Sequence, residues 1–327
     1  MIFFTGASGF IGSHFHDAMN SSQIVNMDIR APMWDSKSEY IKGDIRNRVE
    51  VEKAMSKYPF DAIISLAAEH KDFGLSREDY FKTNEYGTKV LCDAATEIGI
   101  KKIVFYSSVA VYGNNQEPST EKTPPDPNHP YGESKLAGEK ILLNWAQADS
   151  SRCVLIIRPT VVYGERNIAN MFRLVDQISK GRYFHIGKGD NIKSIAYVKN
   201  IVDATLFLMG KMKPGVEIYN YSDDPQLSVK EIAEVITETL SKKIQLSLPY
   251  SLAYLMAIPF DIFIKISGKD LPVSSNRIKK LCTETYHKAD KLNQSGFKRK
   301  YSNREGLKNM VWWKNNEYEK ETVIFNV

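Results

Sequence analysis

The stretch TGASGFIG, Thr5 to Gly12, decides the fold. It sets Gly6, Gly9 and Gly12 at even spacing, after the apolar run MIFF and before a helical pattern. Glycine lets a backbone turn tightly and approach a pyrophosphate. The helix that follows aims its unpaired N–H groups and its dipole at that anion. A glycine triplet alone is weak evidence, but here the setting supports it. A second apolar run, QIVNMD, ends at Asp28, about 20 residues on, where an acid accepts hydrogen bonds from an adenosine ribose. A carboxylate there repels a 2′-phosphate, which favours NAD over NADP. Arg30, just beyond, weakens that preference. Asp44, in KGDIR after the third strand, is placed to meet the adenine.

Working outward, DAIISLAA, KKIVFYSS and CVLIIRP are further near-continuous apolar runs, of the kind that buried parallel strands show. Helical segments lie between them, such as DYFKTNEYGTKVLCDAATEIG, which closes on a glycine stop. Strand alternating with helix predicts an α/β fold with a doubly wound parallel sheet, Rossmann-like. Beyond about Arg158 the pattern breaks into shorter pieces. The expected division is an NAD-binding domain over 1–160, a return of the chain to the sheet at about 190–225, and a mainly substrate-binding α/β region over 161–327. A proline-rich loop, EPSTEKTPPDPNHP, precedes Tyr131 and reads as a rigid segment at the mouth of a site.

Composition sets the outer limits. The chain has 327 residues, 43% of them hydrophobic and 25% charged, which suits a globular protein with a large core. Three cysteines, Cys92, Cys153 and Cys282, form no CxxC pair, so neither a zinc site nor a disulfide framework is expected, and no metal. That usage fits a reducing, cytoplasmic compartment. The first residues run straight into the glycine turn, so no signal peptide is expected. The net charge of +5 is uneven: Lys265 to Lys320 holds 14 Lys/Arg against 6 Asp/Glu, a balance of +8 that leaves the rest at −3. Such a surface is either solvated or a face for phosphates and anionic lipid. No nucleic-acid motif accompanies it.

The chemistry concentrates in YGESK, which carries Tyr131 and Lys135. Side chains at i and i+4 share a helix face. An ammonium beside a phenol stabilises the phenolate, making Tyr131 a usable general base or acid. By chance a YxxxK pair arises about once in a chain this rich in tyrosine, so its place matters more. It opens the helix after the fifth strand. Ser108 stands at that strand's carboxyl end, where ligands bind in such sheets, and its hydroxyl can meet the reacting oxygen.

TGASGFIG, GDIR, LAAEH, NEYGT, SSVAVYG, YGESK and RPTVVYGE stand in the order and spacing of a known family. The chain resembles the extended short-chain dehydrogenase/reductase superfamily, with its NAD-dependent epimerases and dehydratases, over nearly its whole length. Further segments, including LAAEHKD, KSIAYVKNIV, LPYSLAYL and SSNRIKKLC, resemble epimerases that interconvert GlcNAc and GalNAc on undecaprenyl diphosphate. The resemblance implies Ser108, Tyr131 and Lys135 as the catalytic set. It implies Gly6, Gly9, Phe10, Ile11, Gly12, Asp28, Asp44, Ile45, Ala67, Asn84, Tyr131 and Lys135 as NAD contacts, Asn170 and Arg277 as substrate contacts, and a homodimer. Departures bear on the substrate. Val161 replaces an asparagine common in soluble nucleotide-sugar members, and their RDxxYVxD segment reads KSIAYVKN, with Lys193, Ser194 and Asn200. Val109 and Ala110 follow Ser108 where 4,6-dehydratases carry Asp-Glu, and no Cys and His pair of a 3,5-epimerase-reductase is present. Oxidation and re-reduction at carbon 4 remains.

The most apolar stretch, LPYSLAYLMAIPFDIFIKISG from Leu248, has two readings. Its longest charge-free run is too short for a spanning helix, and Pro249 and Pro259 are expected to break it. It is either a buried helical pair or an apolar face (248–266) that meets the bilayer beside the basic C-terminal region. The resulting expectation is a 4-epimerase on a sugar diphosphate, cytoplasmic or peripheral at the inner face of the membrane. A UDP-hexosamine epimerase, an NAD(P)H-dependent 4-ketoreductase and a non-catalytic NAD sensor are the alternatives.

Overall fold

The computed structural model describes residues 1–321 apart from 33, 35, 72–73, 114–117, 245, 269–270 and 272, so the expected boundary at 327 lies outside the described residues. In chain order the first half contains β1 (Ile2–Thr5), α1 (Phe10–Ala18), β2 (Ile24–Asp28), β3 (Glu39–Lys42), α2 (Arg48–Met55), β4 (Ala62–Ser65), α3 (Arg77–Phe81), α4 (Gly87–Ile98), β5 (Lys102–Tyr106), α5 (Pro130–Gln147) and β6 (Cys153–Pro159). The second half contains β7 (Val161–Tyr163), α6 (Asn170–Ser179), β8 (His185–Ile186), β9 (Ile192–Lys193), β10 (Ile195–Tyr197), α7 (Val198–Met209), β11 (Gly215–Tyr221), β12 (Leu227–Ser228), α8 (Val229–Thr239) and β13 (Ser247–Leu248). It closes with α9 (Tyr250–Ser267), α10 (Ser275–Cys282), α11 (Asp290–Gln294), α12 (Asn303–Asn316) and α13 (Tyr318–Glu321).

Seven strands form one sheet in the order β11-β6-β5-β4-β1-β2-β3. Every pairing in it is parallel. The apolar runs are β1, β2, β4, β5 and β6, and their side chains are buried on both faces, as helices on each side require. One apolar layer joins Phe3, Val25, Ile63 and Phe105 to α2, α4 and α5. The other joins Phe4, Ile64, Val104 and Leu155 to α1 and α7. The strand order reverses at β1, between β2 and β4, so a crevice opens outside their carboxyl ends. A third apolar cluster, including Val175, Tyr197, Ile236 and Met310, unites α6, α8 and α12 beside the sheet.

The apolar stretch departs from expectation. It forms one helix, α9, which runs unbroken through Pro259. Pro249 stands just before its first turn, and Pro259 lies inside it, where its missing N–H removes one backbone bond. The buried-pair reading fails as well, because Ala253 and Ala257 are the only buried residues of α9. Among the described residues α9 is the one helix long and apolar enough, by length and composition, to cross a membrane.

Candidate active site

The glycine turn is built so that little but glycine fits. Gly6 has φ +75°, and a Cβ there would lie 2.4 Å from the Ala67 nitrogen. A Cβ on Gly12 would lie 2.2 Å from the Ala7 carbonyl, so α1 packs directly on its own turn. Gly9 faces open space by comparison: its nearest neighbour would be the Gly6 carbonyl at 3.4 Å. No side chain caps α1, and its first turn carries no acid. The N–H groups at its start therefore lack a side-chain acceptor, which suits a pyrophosphate. The turn is held from below. Asn26, fully buried in β2, accepts from the Ala7 N–H at 3.0 Å and donates to Ser8 Oγ at 2.9 Å. Asp28 accepts from the Ser8 N–H at 3.1 Å. Burial pushes the Asp28 carboxyl upward, and the N–H donors of Arg30 and Ser8 oppose that push. Beyond the ends of β2 and β3 a cavity of about 350 Å³ is lined by Ile29, Lys42, Gly43, Asp44 and Glu50, room for the adenosine end of a dinucleotide. Asp44 is paired with Arg46 at 2.6 Å, which lowers its pKa. Phe10 and Ile11 line the first turn of α1, half-buried. Ile45 is turned inward, against the position of Gly87. The residues present fit a dinucleotide.

Three backbone features converge at the next point along the crevice. Asn84 lies in a π-helical turn, Lys82–Tyr86, between α3 and α4. Such a bulge commonly marks a functional position, because it re-aims one side chain. Here Asn84 donates to Glu69 O and to Ser134 Oγ, both at 2.9 Å, and accepts from the Glu69 N–H at 3.0 Å. The turn rests on α5 at Gly138, where a Cβ would meet the Asn84 carbonyl at 2.7 Å. Ser108 follows β5 and accepts from the Ala110 N–H at 3.1 Å, capping the short turn Val109–Tyr112. The start of α5 lies against that turn, since a Cβ on Gly132 would come within 2.4 Å of the Ala110 carbonyl. Tyr131, beside Gly132, is thus brought to the Ser108 loop. His129 caps α5 by accepting from the Tyr131 N–H at 3.2 Å. Lys135 is only 1% exposed, with its Nζ 4.2 Å from the centre of the Phe105 ring. Burial pulls its pKa down to about 7, and Glu139 pulls the other way.

The sequence matches the NAD dependent epimerase/dehydratase family over residues 2–221. The chain belongs to that family. It is therefore an enzyme of the NAD-dependent epimerase/dehydratase type, and NAD is its cofactor. It is 38% identical to the N-acetyl-alpha-D-glucosaminyl-diphospho-ditrans,octacis-undecaprenol 4-epimerase of Escherichia coli O157:H7, over 98% of this chain and 97% of that one. UDP-glucose 4-epimerase 2 of Arabidopsis thaliana is 27% identical over 74% of this chain and 81% of its own length. Among solved structures, the UDP-glucose 4-epimerase of Thermus thermophilus in complex with NAD superposes with a TM-score of 0.76 at 20% identity, covering 97% of this chain and 99% of that one.

Sequence reasoning missed the charged network beneath the site of this epimerase/dehydratase family member. Glu139, one turn beyond Lys135, is buried and accepts from Arg158 Nε at 2.9 Å and Nη2 at 2.5 Å. It also accepts from the Ser107 hydroxyl, next to Ser108. Arg158 Nη1 donates to Tyr112 OH at 2.8 Å, which donates to Asn220 Oδ1 at 2.7 Å. The signal was present: a lone arginine in the apolar run CVLIIRP, and a glutamate four residues after Lys135. A buried charge needs a buried partner.

The expected substrate positions stand on α6 and α10, outside the seven-stranded sheet. Asn170 is exposed as the first residue of α6. Arg277 lies on α10 and donates to the Leu271 carbonyl. Val161 is 50% exposed at the start of β7. The residues that depart from the RDxxYVxD pattern serve the structure. Lys193 donates to the Lys280 and Thr283 carbonyls at 2.7 and 2.5 Å, tying down the end of α10. Ser194 Oγ accepts from the His287 N–H at 2.9 Å, and Asn200 donates to the Tyr301 carbonyl at 2.8 Å.

Proposed function

We propose that this enzyme is an NAD-dependent 4-epimerase that interconverts GlcNAc and GalNAc on a diphosphate carrier, with undecaprenyl diphosphate as the carrier. One observation carries the reading: 38% identity to the undecaprenol-linked epimerase runs through 98% of this chain, whereas the plant UDP-glucose epimerase matches at 27% over 74%. The side chains at Val161, Lys193, Ser194 and Asn200 support it, since a UDP-binding pattern is replaced there by an apolar group and by internal ties.

Tyr131, as phenolate, takes the proton of the 4-hydroxyl and later gives it back. Ser108 hydrogen-bonds the same oxygen and holds it between the two groups. Lys135, when protonated, holds the phenolate by charge, and Glu139 opposes the pull of burial on that proton. Bound NAD would supply a hydride acceptor and donor for C4, so no external redox partner would be consumed. Gly6, Gly9, Gly12 and the start of α1 take its pyrophosphate. Asp28 takes the adenosine ribose, Asp44 and Ile45 border the adenine, and Phe10, Ile11, Ala67 and Asn84 wall the groove. Residues 1–160, with the later return of the chain to the sheet, form the cofactor domain. Residues 161–327 mainly hold the sugar diphosphate, with Asn170 and Arg277 as contacts. The enzyme works as a homodimer, in the cytoplasm and peripherally at the inner face of the membrane.

The test offers UDP-GlcNAc and lipid-diphosphate GlcNAc in parallel. The reading expects the 4-epimer on the lipid carrier. Turnover of the UDP sugar alone would leave a soluble UDP-hexosamine epimerase in its place, and stoichiometric loss of NAD(P)H would leave a ketoreductase.

A further inference from the structure

On α9, Leu252, Leu255, Met256, Ile262, Phe263 and Ile266 follow a 3–4–7 spacing, so they form one stripe along the helix. Their exposures run from 44% at Leu252 to 81% at Ile266. The stripe also includes Pro259 and carries no charge. Roughly opposite it, Ala253 and Ala257 pack against Ile278 of α10, Ile186 and Leu248. The two buried side chains of the helix are small, and most of its bulk turns outward. Scattered exposed apolar residues are ordinary, but a continuous apolar face of this length marks an interaction surface.

The flank of that face is basic. Exposed Lys279 and Lys280 follow Arg277 on α10, which holds no acid, and Lys265 lies in the last turn of α9. The Ser275 N–H donates to Asp261 Oδ1 at 3.0 Å, while Ile278 packs at Ala253 and Ala257. Accordingly α10 runs back along α9 as a hairpin. This geometry excludes a span. A helix of 18 residues is roughly 27 Å long, and α10 returns beside it to the body with charged side chains at its surface. Cys282 lies against the Ile186 carbonyl, and the chain then reaches His287, whose ring stacks on Tyr112 at 6.1 Å. The hairpin therefore sits a few residues from the loop that carries Ser108.

We infer that the α9–α10 hairpin docks the enzyme on an anionic bilayer, with α9 flat in the interface, its apolar stripe among the acyl chains and the basic residues of α10 and Lys265 at the headgroups. A second copy of this chain fits the surface poorly, because a face-to-face contact would bring like charges together with no acidic counterpart on α10. The inference deepens the proposed function by naming the surface on which the enzyme works, yet it holds whichever carrier the sugar has.

The full-length enzyme is floated with vesicles of phosphatidylcholine alone and of phosphatidylcholine with phosphatidylglycerol. Binding to the anionic vesicles is expected, reduced at least tenfold by raised salt and at least tenfold by Lys279→Glu with Lys280→Glu. Leu255→Asp with Ile262→Asp should abolish it while circular dichroism and NAD binding stay unchanged. If that variant unfolds, Leu252→Trp and Ile266→Trp decide: brominated lipids should quench the added fluorescence of both at the same shallow depth. Failure of the parent enzyme to bind anionic vesicles at low salt would overturn the inference. So would unequal depths at the two ends, or a dimer that the Asp variant converts to monomer. Vesicle binding without turnover of the lipid-linked sugar would instead count against the proposed substrate alone.

Discussion

Two regions of this enzyme reverse the ordinary partition of side chains in opposite directions. Around α5 a lysine, a glutamate and an arginine are buried: Lys135, Glu139 and Arg158. On α9 a stripe of leucine, isoleucine and phenylalanine lies in the open. Charges avoid the interior unless paired, and bulky apolar groups leave water where they can. Each reversal destabilises the chain alone, and each makes sense once an absent component is added. On the proposed reading, the buried charges serve a reacting hydroxyl at Tyr131 and the exposed stripe serves a lipid surface. The regions differ in what completes them inside the protein. Glu139 satisfies Arg158 and Ser107, so the α5 network is closed on one side. Among the described residues no comparable partner covers the stripe of α9.

The largest expected effect strikes the α5 side. Tyr131→Phe removes only the ionisable oxygen, and turnover should fall by about 10²–10⁴-fold while NAD stays bound. Detection of the 4-epimer by NMR checks it, and near-normal turnover would show that the α5 charges serve structure alone. Next comes Glu139→Gln, which strands Arg158 in the interior. Removing one member of a buried pair costs about 3–5 kcal/mol, readable in a urea melt. A loss of a few tenths would mean that Glu139 is not the ion that holds the network.

The glycine turn, the alternation of strand and helix, and the order of motifs made the cofactor half legible, because parallel strands buried on both faces leave continuous apolar runs. The YGESK pair was legible by its position after the fifth strand. Asn26 and the Glu139–Arg158 pair were not read, although a polar residue inside an apolar run is the trace that such a support leaves. The course of α9 was misread for a different reason. Proline was given the weight of a helix breaker, whereas this helix forgoes one bond and continues. Burial of α9 was beyond reach as well, since an apolar run has the same composition whether it faces a core or a bilayer. Asn170 and Arg277 came from resemblance alone.

A smaller effect sharpens the comparison through pH. Lys135 falls to about 7 in the folded chain from 10.5 in the unfolded one. Between those values the unfolded chain binds more protons, so this lysine makes stability rise with pH from about 7 toward 10.5, and its full cost is present below 7. Lys135→Met should flatten that rise by up to about 1.4 kcal/mol per pH unit in the cofactor-free protein. An unchanged slope would mean that Lys135 stays charged where it is buried. The smallest effect belongs to α9. Leu255→Asp should change stability by no more than about 0.5 kcal/mol, because the side chain has little to lose. A loss of several kcal/mol would show that the stripe is covered in solution and would erase the contrast between the regions.

The central claim is that oxidation and re-reduction occur at one carbon without exchange of the hydrogen. Lipid-diphosphate GlcNAc bearing deuterium at C4 tests it most directly. The account predicts GalNAc on the same carrier with the deuterium retained at C4 and no net change in NAD. Product that has exchanged its C4 label for solvent hydrogen, or that forms only as NAD(P)H is consumed, would contradict it.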